Sequence, residues 1–210
     1  MRLHGYFRSS AAWRVRIALN LKGLVAEQLF RHLRKGEQRA PDYLCLNPQG
    51  LLPSLETDDG QVLTQSMAII EWLDETHPEP RLVPGDALAR ARIRAFAQAI
   101  ACDIHPVQNL KVLARLRALG HPEEVVTGWA RDTIQEGLEA CEGLLQGGEG
   151  PLCFGSAPTL ADICLVPQLG NARRFGADTS GLARITEAAR ACAGHPAFAA
   201  AAPEKQADVE

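Results

Sequence analysis

Two adjacent serines ahead of an apolar helical run are the first residues of this chain equipped for chemistry: Phe7-Arg8-Ser9-Ser10-Ala11-Ala12-Trp13-Arg14. A helix start exposes backbone N–H groups with no partner inside the helix and carries the positive end of the helix dipole. Such a place favours an anion, whether phosphate, carboxylate or thiolate. A free thiol with a pKa of about 8.5 is only a few per cent ionised at neutral pH, and lowering it by about two units makes it mostly thiolate. A serine hydroxyl at that point can donate a hydrogen bond to bound sulfur. Plain helix capping accounts for the same two serines.

Two further segments have ligand-binding chemistry. In Leu51-Leu52-Pro53-Ser54-Leu55 a proline opens a strand. Proline has no N–H for a sheet ladder. In the cis form it would turn the Leu52 backbone outward to pair with a peptide ligand in strand-like fashion; in trans it is an ordinary edge-strand proline. Gln65-Ser66 opens a second helix, where N–H groups, a hydroxyl and an amide could hold an amino-acid carboxylate or simply cap the helix.

The elements that must carry these segments can be read from periodicity. Arg2–Phe7 reads as a short strand and Trp13–Lys22 as a helix with Val15, Ala18 and Leu19 on one face, stopped by Gly23. Ala26–Leu33 reads as a second strand and residues 36–46 as an irregular helix. Leu51–Glu56 and Gln61–Thr64 are strands joined by the turn Thr57-Asp58-Asp59-Gly60. Ser66 opens a helix to Glu75, ended by His77-Pro78-Glu79-Pro80. Residues 81–87 form a linker. Beyond it helical spacing dominates, over 88–118, 123–146, 160–172 and 181–193. Thr159 and Asp162 form a carboxylate capping box, and the helix they open is apolar nearly all round, so burial is expected. The pattern predicts an α/β thioredoxin-like domain over 1–80 and an all-α helical domain over 88–210.

Composition narrows the partners. Of 210 residues, 46% are hydrophobic and the net charge is −3, which suits a soluble protein with a real core. Without a basic stripe interleaved with aromatics, no nucleic-acid partner is expected. No export segment or membrane span is read, and a cytoplasmic location is expected. Cys45, Cys102, Cys141, Cys153, Cys164 and Cys192 are scattered thiols of a reducing compartment. Neither they nor His4, His32, His77, His105, His121 and His195 have metal-ligand spacing, so no metal is expected.

The motifs fall in an ordered set. Arg8-Ser9-Ser10 precedes Trp13-Arg14-Val15-Arg16-Ile17-Ala18-Leu19; Leu46-Asn47-Pro48 precedes Pro53; Gln65-Ser66 precedes Ala68-Ile69-Ile70-Glu71-Trp72-Leu73. His105-Pro106, Asn109, Thr159-Leu160-Ala161-Asp162, Leu165-Val166-Pro167-Gln168 and Arg173-Arg174-Phe175 follow in order. The set, which spans essentially the whole chain, resembles the zeta class of glutathione transferases. That resemblance implies the glutathione transferase fold and glutathione as coenzyme. It places the sulfur at Ser9–Arg14, with Ser10 the favoured hydroxyl, Ser9 close behind, and Ala11 and Arg14 beside them. It pairs the cysteinyl backbone with Leu52 before Pro53 and the γ-glutamyl carboxylate with Gln65 and Ser66. Gln38, His105, Asn109, Leu110 and Lys111 are further implied glutathione contacts. Where many members carry cysteine and serine after the serine pair, this chain has Ala11 and Ala12, so no protein thiol stands there.

The implied reaction is cis–trans isomerisation of maleylacetoacetate by addition of the glutathione thiolate, bond rotation and elimination. Arg8 and Arg174 are the candidates for the carboxylates of the dicarboxylate substrate, since a planar guanidinium meets a carboxylate at two points. Maleylpyruvate isomerase shares this chemistry. Transfer or dehalogenation of α-halo acids is a broader alternative, and a non-catalytic interaction protein of the same fold the most distant. A homodimer is expected from the resemblance and from the prevalence of twofold assemblies.

Overall fold

The computed structural model describes residues 1–210. The chain divides into two compact units, residues 1–81 together with 194–210, and residues 82–193.

The first unit is built on a mixed sheet. Strands β1 (Arg2–Gly5), β2 (Glu27–Phe30), β3 (Ser54–Glu56) and β4 (Val62–Thr64) lie in the order β2-β1-β3-β4. β1 and β2 run parallel, with Leu3 opposite Gln28, and the crossover between them is helix α1 (Ser10–Leu21). β3 runs antiparallel to both β1 and β4, the latter pairing dictated by the tight Thr57–Gly60 turn. A short α2 (Pro41–Leu46) precedes β3, and α3 (Ser66–Thr76) follows β4. This is the thioredoxin-like arrangement expected from the sequence.

Helix α1 opens three residues before the Trp13 start suggested by periodicity, because the Ser9 hydroxyl caps it. Residues 10–19 are buried on every face. The cause is α9 (Pro196–Ala201), which packs on α1 alongside α3. The sequence pattern assigns residues 194–210 to the helical domain and predicts no helix there; their contacts put them in the first unit. At its C-terminal end α1 is tied down by Lys22, whose Nζ reaches Asp74 Oδ1, the His77 carbonyl and the Pro80 carbonyl, each at 2.6 Å. That side chain is fully buried, and three acceptors satisfy all three of its protons.

The second unit is helical: α4 (Ala87–Gln98), a π-helical segment (Ala99–Ile104), α5 (Leu110–Ala118), α6 (Glu123–Leu144), α7 (Leu160–Phe175) and α8 (Ala183–Ala193). The single helix expected over 88–118 is thus broken. The break lies at His105–Asn109, where Pro106 disrupts the ladder and Asn109 caps a new helix by accepting the Lys111 N–H at 3.1 Å. Gly137 of α6 accommodates the π segment, since a Cβ there would stand 2.3 Å from Ile104 Cγ1. α7 packs against α4, α6 and α8, and residues Leu160–Leu165 are all buried. No helix is long and apolar enough to cross a membrane.

Candidate active site

The chain leaves β1 at Gly5, turns through Tyr6-Phe7-Arg8, and enters α1. The Ser9 N–H donates to the Tyr6 carbonyl at 2.9 Å. Ser9 holds φ −70°, ψ 108°, and its Oγ accepts the Ala12 N–H at 3.2 Å. A hydroxyl that accepts one bond still has a proton to donate. Ser10, the first helical residue, is 6% exposed. The first turn holds no acidic side chain. Arg14, 1% exposed, and Arg16, 5% exposed, stand one and two turns on. The helix start is therefore positive and unneutralised from within its own turn.

Arg16 also shapes the loop. Its Nη2 donates to the Phe7 carbonyl at 3.0 Å and its Nη1 to the Tyr6 carbonyl at 3.4 Å. Burial pulls its pKa down to about 10, while the nearby Asp208 carboxylate pulls it back up. It remains a cation at neutral pH. The sequence shows Arg16 only within a motif; its signal is that it and Arg14 are the two cations in a helical run that is otherwise mostly apolar.

A second helix start joins the first through Arg14, whose Nη1 reaches Ser66 Oγ at 3.5 Å. Ser66 is the first residue of α3, whose first turn also lacks an acid. Gln65 before it adopts φ 67°, ψ 115°, a left-handed conformation costing a non-glycine residue about 1–3 kcal/mol. Strain of this kind concentrates at ligand clamps. The Gln65 amide Nε2 donates to Gln49 Oε1 at 2.9 Å.

The Leu52–Pro53 peptide is cis. The residue before it is anchored: the Leu51 carbonyl accepts from Tyr43 Oη at 2.7 Å and from Asn47 Nδ2 at 2.8 Å. Tyr43 Oη also bonds Ser54 Oγ at 3.0 Å. Both anchors are fully or nearly fully buried, and burial raises the Tyr43 pKa, so the phenol stays protonated to donate. Sequence reading noted Asn47 only within a motif and missed Tyr43; the Asn-Pro after α2 was the available signal. Gln38 sits in a 3-10 turn (Glu37–Arg39) and carries a buried Oε1 with no partner in the chain. An orphaned buried polar atom in a native fold calls for an explanation, and a ligand donor is one.

The first unit thus brings Ser9, Ser10, Ala11, Arg14 and Ser66 into two linked helix starts, with Gln65 adjoining in sequence. Arg8 is exposed beside them, its guanidinium 5.8 Å from the Phe7 ring centre. The other expected residues lie in the helical unit. His105 ends the π segment, Asn109 caps α5, and Leu110 and Lys111 form its exposed first turn. Arg174 is exposed in the last turn of α7, 5.2 Å from the Phe175 ring centre.

Three buried cysteines of the second unit are poor nucleophiles. Burial pushes the Cys141 thiol up to about 12, and the Cys153 and Cys192 thiols are likewise raised, by burial first and then by the Asp162 carboxylate. No cysteine stands in the α1 start itself, where Ala11 and Ala12 follow the serine pair.

The family model for the glutathione S-transferase N-terminal domain matches residues 8–76, and that for the C-terminal domain residues 71–200. The maleylacetoacetate isomerase of Pseudomonas aeruginosa is 48% identical over 210 residues, covering 99% of this chain and 98% of that protein. The holo structure of a maleyl pyruvate isomerase, a bacterial glutathione S-transferase of the zeta class, has a TM-score of 0.97 at 44% identity and covers 100% of both chains. The maleylacetoacetate isomerase of Anaeromyxobacter dehalogenans, solved with dicarboxyethyl glutathione and citrate in its active site, has a TM-score of 0.90 at 44% identity, covering 100% of this chain and 97% of that one.

Proposed function

This chain belongs to the glutathione S-transferase family, in its zeta class, and from that premise we propose that it is a glutathione-dependent cis–trans isomerase converting maleylacetoacetate to fumarylacetoacetate. The observation that carries the reading is the α1 start: paired serines, no acid in the first turn and buried arginines behind it. The relative from A. dehalogenans holds a glutathione bearing a dicarboxyethyl group. That is the skeleton a thiol acquires on adding across the double bond of a butenedioate.

Glutathione, when bound, supplies the thiolate that adds to the maleyl double bond and leaves once the bond has rotated. The protein's part is to hold and to shield. Ser10 and Ser9 donate hydroxyl protons toward the sulfur position, and the positive end of the α1 dipole, with no acid in its first turn, favours its charge. Leu52, held by the anchored Leu51 carbonyl, offers its backbone to the peptide, and Gln38 offers its unpartnered amide oxygen. Gln65 and Ser66 meet the amino-acid end, and Arg14, expected at the sulfur, links that end to the α1 start through Ser66. His105, Asn109, Leu110 and Lys111 are carried as glutathione contacts by resemblance. Arg8 and Arg174 take the substrate carboxylates and the charge that develops on addition. We place the enzyme in the cytoplasm as a homodimer.

Maleylpyruvate is the second substrate to weigh, because a maleyl pyruvate isomerase superposes on this chain with a TM-score of 0.97. Turnover of both maleyl compounds, measured with and without glutathione, tests the reading. Glutathione-dependent turnover with the higher kcat/KM for maleylacetoacetate is expected. Full activity after removal of glutathione would overturn the mechanism, and a higher kcat/KM for maleylpyruvate would transfer the assignment to that substrate.

A further inference from the structure

The loop that presents Ser9 and Ser10 is held from a point some two hundred positions away in sequence. The Phe7 N–H donates to Asp208 Oδ2 at 2.9 Å. The Phe7 and Tyr6 carbonyls go to Arg16, and the Arg16 Nε donates to the Ala201 carbonyl at 3.2 Å. Asn20 of α1 adds a bond from Nδ2 to the Ala197 carbonyl at 2.9 Å. So α1 grips α9, and the segment after α9 grips the loop that leads into α1. Glu210 fastens the same segment a second time, to His32 and Arg34.

Asp208 lies beyond the last 3-10 turn (Pro203–Lys205), outside any helix or strand, where an aspartate could turn both oxygens to water. Instead its Oδ1 is buried without a hydrogen-bond partner. Leaving an acceptor unsatisfied costs free energy, and a group kept in that state calls for a reason beyond anchoring a surface segment. The hydrogen bond it secures fixes the one donor of Phe7, while Arg16 fixes the acceptors on either side. Together they clamp the peptide planes that set where Ser9 begins the helix.

We infer that Asp208 is a positioning residue for the isomerase, acting through the Phe7 N–H to hold the Tyr6–Ser9 loop so that the serine hydroxyls meet the glutathione sulfur. The inference rests on the function proposed above. It assigns the action to the hydrogen bond, with the charge on Asp208 serving to balance Arg16.

The test uses full-length Asp208→Ala and Asp208→Asn, with Glu204→Ala as an exposed control in the same segment. Each is assayed well below its Tm. Glutathione affinity is measured by calorimetry, and kcat and both KM values with the maleyl substrate. For Asp208→Ala, kcat should fall about tenfold with glutathione affinity within about twofold, because the rest of the peptide is held elsewhere. Asp208→Asn keeps an acceptor of the same shape and should restore kcat to within about twofold. A merely structural residue would lower Tm and leave kcat at the assay temperature untouched, which would overturn the inference. Equal impairment in the alanine and asparagine variants would also overturn it, since charge would then be the cause. If the alanine variant does not fold, Asp208→Ser, too short to reach Phe7, takes its place with the same expected and opposing results. A wild-type protein that binds no glutathione would instead defeat the functional reading itself.

Discussion

Helices α1 and α7 both begin with a buried hydroxyl residue, yet they treat their first turns in opposite ways. At α7, Asp162 sits three residues past Thr159 and accepts the Thr159 N–H at 2.8 Å, the Thr159 hydroxyl at 2.8 Å and the Cys153 N–H at 2.9 Å. The carboxylate is fully buried and supplies the anion its helix dipole prefers. At α1 the equivalent position is Ala12, and no acid stands in the turn. One helix start carries its own charge and serves as a fixed joint in the second unit. The other is left without an acid in its first turn and is the proposed receptor. A helix N-terminus becomes a site when its sequence withholds the carboxylate that would otherwise close it.

The largest effect should come from opening the closed end. Asp162→Ala leaves two backbone N–H groups and a hydroxyl without their acceptor in a dry core. Loss of such a buried charged acceptor costs about 3–5 kcal/mol. For a chain of this size the melting temperature should drop by about 10 °C. Thermal unfolding followed by circular dichroism checks this; a drop below about 2 °C would mean that the buried box is no joint at all.

Closing the open end comes next. Ala11→Asp places a carboxylate in the first turn of α1 beside the proposed sulfur position. Like charge disfavours a second anion there, and glutathione KM should rise at least about tenfold. Ala11→Ser, which adds a hydroxyl and no charge, should stay within about threefold. Equal effects from both would show that crowding rather than charge governs the site.

Much of this contrast was legible in the sequence. The Thr159–Asp162 box and the Ser9-Ser10 pair read directly, because capping is local chemistry over four residues; the acid-free first turn did not, because periodicity starts the helix at Trp13 and the structure at Ser10. The crossover topology followed from strand, helix and turn spacing. What did not read was whatever depends on distant partners. Arg16 belongs to an apolar helical run, and only α9 folding back on α1 explains why a cation there is buried. Asp208 has no periodic neighbours at all. The single helix drawn over 88–118 failed because Pro106 and the Asn109 cap were outweighed by an alanine- and leucine-rich background. Gln65 gives no sign of its left-handed backbone, which the surrounding fold imposes.

The far end of α7 gives a subtler test. Arg173 and Arg174 stand in its last turn, where cations complement the negative end of the dipole. If that were their only use, alanine at either position would cost under about 1 kcal/mol of stability and nothing in kinetics. The proposed carboxylate role separates them. Arg174→Ala should raise the KM for the maleyl substrate about fivefold with glutathione affinity unchanged, while Arg173→Ala should match the wild type. Identical kinetics for the two variants would confine Arg174 to the dipole.

The smallest effect concerns a carboxylate that the first unit does bury, away from its open helix start. Glu56 on β3 accepts from His4 Nε2 at 2.6 Å and from Arg2. The His4 hydrogen bond, then the Arg2 charge, holds its pKa below the ordinary value of 4.5. A carboxyl group with a depressed folded pKa releases its proton more readily in the folded state than in the unfolded one. Its contribution is fully present above about pH 4.5 and fades as pH falls through the lower folded value. Urea midpoints should therefore decline below that pH in the wild type, and Glu56→Gln should flatten that decline by about 1 kcal/mol or less. The same variant should leave glutathione KM unchanged, because this charge serves the sheet. A KM shift in Glu56→Gln would mean that the field at the α1 start is set by the whole unit, and the contrast between the two first turns would lose its simple form.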